Sequence, residues 1–180
     1  RAMIPNAFTH RGVPRVDPRD ATPDDFPAIL ALNDEAVQFT SPLDAARLRQ
    51  LHEQAAYHRV IELGGAIAAF LLALREGADY DSLNYRWFAR HYAQFLYIDR
   101  VVVARSARRL GLGIQLYDDI LAFAARTQVA RLSCEYDVDP PNPVSQAFHR
   151  RYGFREVGRQ RVGGGKQVSL QLRESGGATV

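Results

Sequence analysis

The stretch "SARRLGLGIQLYDD", residues 106–119, most strongly constrains what this chain can fold into. Before it lies "FLYIDRVVV", a short run of β-branched and aromatic residues without Gly or Pro, which predicts a buried strand. After it, apolar residues recur at helical spacing and predict one apolar helical face: Ile114, Tyr117, Leu121 and Ala124. The glycines therefore lie at a strand-to-helix junction, where backbone N–H groups have no partner inside the helix.

This junction has the properties of an anion-binding site. The helix dipole and the unpaired N–H groups attract phosphate, and glycine allows a close approach to the backbone. Arg105, Arg108 and Arg109 add positive charge around the turn. We predict that an anion is bound along Arg108, Arg109, Leu110, Gly111, Leu112, Gly113 and Ile114. A tight turn whose arginines are only solvated remains the alternative on these residues alone.

The rest of the pattern predicts an α/β fold of the mixed α+β kind, in which helices flank a central, partly parallel sheet. Thr22 and Ser41, each followed by Pro, predict the N-caps of two helices. A further short helix is expected near residues 144–152. The expected strands are a first one begun by residues 14–16, a hairpin at Gly64–Gly65, strands over 95–103 and 131–137, and two around Gly163–Gly165.

Length and composition indicate one domain and exclude several classes of protein. A domain over residues 15–173 is expected between an arm, 1–14, and a tail, 174–180. The five histidines are scattered and neither H-E-x-x-H nor C-x-x-C occurs, so we expect no metal site. Neither a P-loop nor a G-x-G-x-x-G dinucleotide motif is present. Cys134 is the single cysteine, and we expect it to be a buried, inert thiol.

The same inspection bears on location and partners. No run approaches transmembrane length and no signal-peptide pattern is present, so we expect a cytoplasmic protein without a membrane partner. A net charge of +3 suits small anions but is modest for a nucleic-acid binder, and we expect no nucleic-acid partner. A homodimer is compatible with these features.

A second block, "NPVSQAFHRRYGF" at residues 142–154, changes the interpretation of the glycine turn. Together the two blocks resemble the GNAT superfamily of N-acetyltransferases, which transfer an acetyl group from acetyl-CoA to an amine. The family's [Q/R]-x-x-G-x-[G/A] motif is met by Arg108, Gly111 and Gly113. Its following loop, short helix and Gly-Phe pair are matched by Asn142, Ser145 and Gly153–Phe154. The resemblance covers residues 15–173 and implies acetyl-CoA as cosubstrate.

The resemblance also implies a role for the strand before the turn. Its backbone at Val101 and Val103 would pair with the pantetheine arm of CoA. Strand alternation would place Tyr97 and Asp99 on the same face as these valines. An attacking amine must lose a proton, and Asp99 is the first candidate for the base, followed by Glu135. The alternative for Asp99 is an ion pair, for which the adjacent Arg100 is not expected as partner because neighbouring strand residues face opposite sides.

Two positions depart from the family's pattern. Many members carry Gly where this chain has Arg109. Members often carry a Tyr that protonates the departing thiolate four residues before the Gly-Phe pair, and here that position is His149. Of the two nearby candidates, we rank His149 ahead of Tyr152 as the proton donor. For Tyr152 we expect a packing role. The alternative is that His149 only lines the CoA channel and that water protonates the thiolate.

The aromatic segment "ADYDSLNYRWFARHYAQFLY" leads into the candidate catalytic strand. We predict that Tyr85 and Trp87, with Tyr97 and Asp99, bind the acceptor, while Asp79 and Asp81 attract an ammonium group. The alternative is a loop whose rings only cover the core.

The leading hypothesis is therefore an acetyl-CoA-dependent N-acetyltransferase acting by direct attack on a small-molecule or amino-acid-like amine. The second hypothesis, suggested by His149, is a catalytically silent acyl-CoA sensor or interaction module. A nucleic-acid binder using the arginines ranks last: Arg105, Arg108, Arg109, Arg150 and Arg151.

Overall fold

Seven strands form one sheet in the computed structural model, which describes residues 15–175 of the chain. Their order across the sheet is β1-β2-β3-β4-β5-β7-β6, and only β4 and β5 are parallel neighbours. This architecture confirms the predicted mixed, partly parallel sheet. The strands are β1 (Arg19–Asp20), β2 (Ala55–Leu63), β3 (Ala66–Arg75), β4 (Leu96–Val103), β5 (Arg131–Asp139), β6 (Arg155–Arg161) and β7 (Gln167–Glu174).

Five α-helices accompany the sheet within the described residues. They are α1 (Phe26–Glu35), α2 (Ala45–Gln54), α3 (Leu83–His91), α4 (Leu112–Arg126) and α5 (Pro143–Arg151). The predicted cap at Thr22 is confirmed: its backbone N–H donates to Asp25 Oδ2 at 2.8 Å, at the start of a short 3-10 turn that leads into α1. The second cap was predicted at Ser41 and is instead Asp44, whose carboxylate accepts from Arg47 N–H at 2.7 Å.

The predicted chain ends need correction. Residues 15–16 form no strand, and Val16 N–H donates to Gln115 Oε1 instead. The first strand comes later, where Arg19 and Asp20 pair with β2. Glu174, predicted to begin the tail, is the last residue of β7, and the predicted arm over 1–14 lies outside the described residues.

The helices lie on both sides of the sheet, as two neighbouring residues of β2 show. Tyr57 points to α4, where its O–H donates to Asp119 Oδ2 at 2.7 Å. His58 points the other way and its Nδ1 lies 2.8 Å from Nδ1 of His52 on α2. Because successive strand residues face opposite sides, α4 covers one face and α2 the other. Since α1 packs with α2, we call these the α4 face and the α1/α2 face.

The helix α4 buries a slightly different stripe from the one predicted. Ile114 and Leu121 are only partly buried, whereas Tyr117 and Ala124 are buried as expected. The stripe that packs into the core is Leu112, Leu116, Tyr117, Ile120 and Ala124.

A bulge in β4 changes which of its side chains share a face. Leu72 of β3 pairs with Arg100, but the next residue of β3 pairs with Ile98, so Asp99 is an extra residue. Cross-strand partners share a face, which places Tyr97 and Arg100 on the α1/α2 face. Val101 and Val103 fall on the α4 face in register with β3.

The prediction that Tyr97 and Asp99 share a face with Val101 and Val103 is therefore wrong. The physical reason is the inserted residue, which shifts the alternation by one position beyond Ile98.

The parallel pair β4 and β5 is joined only at its start. Leu96 pairs with Leu132 and Tyr97 with Ser133, and no further pairs connect the two strands. β5 goes on pairing with β7 as far as Asp139, so β4 is left without a partner on this side beyond Tyr97. The sheet is therefore open between β4 and β5, and this opening connects its two faces.

Candidate active site

A cavity of about 1340 Å³ passes through the opening between β4 and β5. On the α4 face it is lined by the glycine turn, the first residues of α4 and one side of α5. On the α1/α2 face it is lined by the α1–α2 connection, residues 80–84 and the β6–β7 connection. One continuous space thus reaches both sides of the sheet.

The glycine turn presents its backbone N–H groups to this cavity. Gly111 is the N-cap of α4 and has a φ of +76°, and Arg109 has a φ of +68°. Within residues 15–175, these backbone N–H groups have no hydrogen-bond acceptor: Arg109, Gly111, Leu112, Gly113 and Ile114. Unpaired N–H groups at the positive end of a helix dipole bind phosphate, so the turn fits the pyrophosphate of CoA.

Gly113 keeps the approach to these N–H groups open. A Cβ added there would lie 4.0 Å from Phe148 and Val103, which is ordinary contact distance, so no clash within the protein requires Gly. The missing side chain instead leaves room for a ligand against the backbone.

The structure brings most of the predicted cofactor-binding residues to the cavity. Leu110 is the exception, because it packs against the core and does not line the space. Asn142 caps α5 by accepting from Ser145 N–H at 3.1 Å. The predicted residues that line the cavity are Val101, Val103, Arg108, Arg109, Gly111, Leu112, Gly113, Ile114, Asn142, Ser145 and His149.

Both nitrogens of His149 are engaged in hydrogen bonds. Nδ1 lies 2.7 Å from the carbonyl oxygen of Ser145, and Nε2 lies 2.8 Å from the hydroxyl of Tyr117. A carbonyl only accepts, so Nδ1 carries the proton of the neutral ring and Nε2 accepts from Tyr117. Burial lowers the pKa of His149, which favours this neutral form.

Tyr117 is a cavity residue that the sequence analysis treated only as core. Its helical spacing predicted burial, and it is fully buried, but its ring also lines the cavity next to His149. Helical periodicity does not distinguish a core position from a cavity wall, and no other signal in the sequence identified it.

Tyr152 lies outside the cavity. Its hydroxyl lies 3.2 Å from the carbonyl oxygen of Ile114 and 3.1 Å from Asp118 Oδ1, which fastens the end of α5 to α4. Packing is therefore its observed role, and a role for Tyr152 as proton donor gains no support from its position. Cys134 does line the cavity, but burial raises the pKa of its thiol, in agreement with an inert side chain.

On the α1/α2 face, Glu135 and Tyr97 meet across the opening. The Tyr97 hydroxyl lies 2.9 and 2.8 Å from the two carboxyl oxygens of Glu135. Burial, reinforced by the charges of Asp99 and Asp137, raises the pKa of Glu135 to about 8. Hydrogen bonds from Tyr97 and Asn84 lower the pKa but do not offset this rise. A carboxyl group tuned in this way can take up a proton near neutral pH.

Asp99, the first candidate for the base, has both carboxylate oxygens occupied. The Tyr80 hydroxyl donates to Oδ1, and Arg100 Nε donates to Oδ2 at 2.6 Å. The expectation that Arg100 would not be its partner is wrong, because the bulge places the two consecutive side chains on one face. Asp99 is held in an ion pair with Arg100, whereas Glu135 has no ion-pair partner among residues 15–175 and a raised pKa, so Glu135 is the better suited of the two to accept a proton.

Tyr85 and Trp87, which were predicted to bind the acceptor, do not line the cavity. The Tyr85 hydroxyl accepts from Ala78 N–H at 2.9 Å and donates to a backbone carbonyl of β3, so it closes the core. Trp87 stacks on His91 at 3.9 Å and covers Gly158, where a Cβ would lie 2.8 Å from the indole.

Both predictions fail because α3 begins only at Leu83, so its first turn and not its aromatic middle reaches the opening. The predicted residues Tyr97 and Asp99 do line the cavity. They are joined there by residues from the start of α3 and the segment before it: Tyr80, Asp81, Ser82, Leu83 and Asn84.

The opening between β4 and β5, with the unpaired N–H groups of the glycine turn beside it, forms a site suited to a phosphate-bearing ligand. Residues 22–154 match the family model described as the acetyltransferase (GNAT) family. The chain therefore belongs to the GNAT acetyltransferase family, and its resemblance to that family is confirmed.

Solved structures support the same fold. Ard1 from Thermoplasma volcanium superposes with a TM-score of 0.70 at 16% identity, covering 87% of this chain and 95% of that one. The structure of yncA, a putative acetyltransferase from Salmonella typhimurium with its cofactor acetyl-CoA, superposes with a TM-score of 0.67 at 16% identity and covers 93% of this chain and 98% of that one. A ribosomal-protein-alanine N-acetyltransferase from Brucella melitensis superposes with a TM-score of 0.65 at 22% identity and covers 87% of this chain and 98% of that one. No curated protein matched the chain in sequence.

Two further features were sought over residues 15–175. No group of three or more His, Cys, Asp or Glu side chains there is arranged to hold a metal ion. None of the helices described is both long and apolar enough to span a membrane.

Proposed function

We propose that this protein transfers the acetyl group of acetyl-CoA to the primary amine of a small-molecule or amino-acid-like acceptor, with Glu135 as general base. The observation that carries the proposal is the position of Glu135 in the opening between β4 and β5. There it faces the acceptor side of a cavity whose other side is the phosphate-binding turn.

The α4 face supplies the residues that would hold acetyl-CoA. The N–H groups from Gly111 to Ile114 suit the pyrophosphate, and Arg108 and Arg109 line the same side with positive charge. β4 beyond Tyr97 offers an unpaired strand edge, which suits an extended chain bearing amide groups. Acetyl-CoA supplies the thioester from which the acetyl group is transferred.

The chemistry of the step assigns one proton to Glu135. The amine forms a C–N bond to the acetyl carbon, the C–S bond breaks, and the Glu135 carboxylate accepts the proton that the amine loses. The thiolate of CoA is protonated by water, since both nitrogens of His149 are already engaged. Tyr97 orients the base through its hydrogen bonds to both carboxyl oxygens.

A catalytically silent acyl-CoA-binding module is the second candidate, and the engagement of His149 favours it. The two candidates differ in one measurable event. A transferase releases free CoA thiol in the presence of an amine and acetylates that amine, whereas a binding module does neither.

The test combines calorimetry of acetyl-CoA binding, thiol release with an amine panel, and mass spectrometry of the products. Glu135→Gln should lower kcat by about 10²–10⁴-fold while acetyl-CoA binds as before. The matched control is Glu53→Gln, a change at an exposed position of α2, which should leave kcat unaltered. Acetyl-CoA binding without amine-dependent thiol release from the unmodified protein would establish the binding module instead.

A further inference from the structure

Exposed apolar side chains concentrate at the cavity. Within residues 15–175, the large hydrophobic side chains that remain exposed are Val37 (44%), Phe39 (54%), Leu83 (57%) and Val144 (80%). All of them line the cavity. None of the other described residues is a large hydrophobic residue with an exposed side chain. Exposed apolar side chains that cluster at one opening in this way mark a binding site.

Three of these side chains lie on the acceptor side. Val37 and Phe39 belong to the connection between α1 and α2, and Leu83 is the first residue of α3. Val144 lies instead on α5, on the cofactor side of the opening. We call Val37, Phe39 and Leu83 the apolar rim.

The segment that carries Val37 and Phe39 is held in place by a buried cation. The Arg100 side chain is almost fully buried and donates to Asn33 Oδ1 at 2.8 Å and to Ser41 Oγ at 3.0 Å. Asn33 in turn donates to the Ser41 carbonyl oxygen at 3.1 Å, which closes the segment into a fixed loop.

A second fastening comes from the β6–β7 side. Lys166 Nζ donates to the carbonyl oxygen of Gln38 and to Asp137 Oδ2, both at 3.1 Å. The α1–α2 connection is thus tied both to β4 and to β5. The rim is preformed, so a ligand that contacts it loses little of its binding energy to ordering the loop.

The groups beyond the rim complement an amine. The carboxyl groups of Glu135 and Asp137 lie on the α1/α2 side of β5 and line the same space as the rim. A molecule with an amine and an apolar body would place the amine beside Glu135, the proposed base, and the body at the rim.

Resting on the proposed function, we infer that the acceptor carries a large apolar group close to its reactive amine, as in an amino-acid-like amine with an aromatic or branched side chain. The rim binds that group, and Arg100 acts on specificity only by positioning the segment that bears Phe39.

Phenylalaninamide and glycinamide form a matched pair of acceptors, since they share the amine and the amide and differ in the apolar group. With the unmodified protein, kcat/KM should favour phenylalaninamide by about tenfold to a hundredfold, the range expected for burying one aromatic ring. Phe39→Ser should reduce the preference to within about threefold of unity, mainly by raising KM for phenylalaninamide.

Val144→Ser is the control, because it removes an exposed apolar side chain from the cofactor side. It should change the rates with the two acceptors equally and leave their ratio intact. A ratio near unity in the unmodified protein would overturn the inference, as would an unchanged ratio in Phe39→Ser. Conversion of a dimer to a monomer by Phe39→Ser, with the ratio unchanged, would identify the rim as a contact between copies.

Failure of the proposed function gives a different result. If no amine releases thiol, calorimetry with the CoA-bound protein still decides the rim: phenylalaninamide should bind about tenfold more tightly than glycinamide, and Phe39→Ser should abolish that difference. Equal binding of the two amides would overturn the inference independently of catalysis.

Discussion

The two faces of the sheet build their halves of the cavity in different ways. The α4 face uses backbone: the unpaired N–H groups of Arg109 and of residues 111–114 in one short segment, with Gly113 leaving the approach to them open. The α1/α2 face uses side chains from segments far apart in the chain, such as Asn33, Arg100 and Glu135. One half is local in sequence and the other is assembled only by folding.

This difference explains why the two halves tolerate change differently. A backbone site needs the correct φ and an open approach, which a single residue can block without disturbing the fold. A buried side-chain network needs every partner, because the removal of one leaves another charge or polar group buried and unpaired. Binding should therefore fail first on the α4 face, and stability first on the α1/α2 face.

The largest expected effect tests the buried network. Arg100→Ala leaves the Asp99 carboxylate buried without its ion-pair partner, so the free energy of unfolding should fall by about 3–5 kcal/mol. Chemical denaturation followed by circular dichroism measures this change. The control is Arg131→Ala on β5, which removes a partly exposed ion pair with Glu174 of β7. It should lower the free energy of unfolding by at most about 1 kcal/mol.

If Arg100→Ala is too unstable to purify, Asn33→Ala tests the same network with a smaller loss, about 1–3 kcal/mol. A loss no greater than that of Arg131→Ala in both variants would contradict the assignment of this face to a side-chain network.

The next effect tests the backbone site. Gly113→Val fills the approach to the unpaired N–H groups, so the Kd for acetyl-CoA should rise by about a hundredfold, which corresponds to about 2.7 kcal/mol. The free energy of unfolding should change by less than about 1 kcal/mol, since the added Cβ meets no close contact.

Ala122→Val on the exposed side of the same helix is the control and should bind acetyl-CoA normally. Calorimetry and denaturation measure both quantities. Normal binding by Gly113→Val would show that the pyrophosphate is held elsewhere.

A third prediction concerns pH. Since burial raises the pKa of Glu135 to about 8, its carboxylate fraction falls about tenfold for each pH unit below that value. The value of kcat/KM should therefore rise with pH and level off above about 8.

The rise of kcat/KM with pH that comes from Glu135, the Glu135 limb, must be separated from the titration of the amine itself. Two acceptor amines with different pKa values do this, because the Glu135 limb is the same for both. In the residual activity of Glu135→Gln the common limb should vanish. A limb that persists in Glu135→Gln would assign the proton transfer to another group.

The smallest effect concerns the strained residue of the turn. Arg109 has a φ of +68°, a conformation that costs a residue with a Cβ about 1–2 kcal/mol and glycine almost nothing. Arg109→Gly and Arg109→Ala remove the same charge, so their comparison isolates the strain. We expect Arg109→Gly to be the more stable variant by about 1 kcal/mol in denaturation experiments. Equal stabilities would show that the turn relaxes this strain.

The local features of the fold were predictable from sequence, and the register-dependent ones were not. The hairpin, the cap at Thr22 and the glycine turn follow from short-range preferences, and all are present. The cap predicted at Ser41 is taken by Asp44, and the Ser41 hydroxyl instead accepts from Arg100, which is distant in sequence. Tyr85 and Trp87 were predicted to bind the acceptor and instead pack within the protein, because only tertiary packing decides which side of α3 reaches the cavity.

By itself, the sequence determined the mixed sheet, the strand-to-helix junction and the family, because periodicity, glycine φ preferences and motif spacing act over a few residues. Only the tertiary structure decided the bulge at Asp99, because the alignment of β4 with β3 and the burial of Arg100 depend on contacts between distant segments. That one extra residue places Tyr97 on the acceptor side and the two valines on the cofactor side, and alternation along the strand alone predicts the opposite.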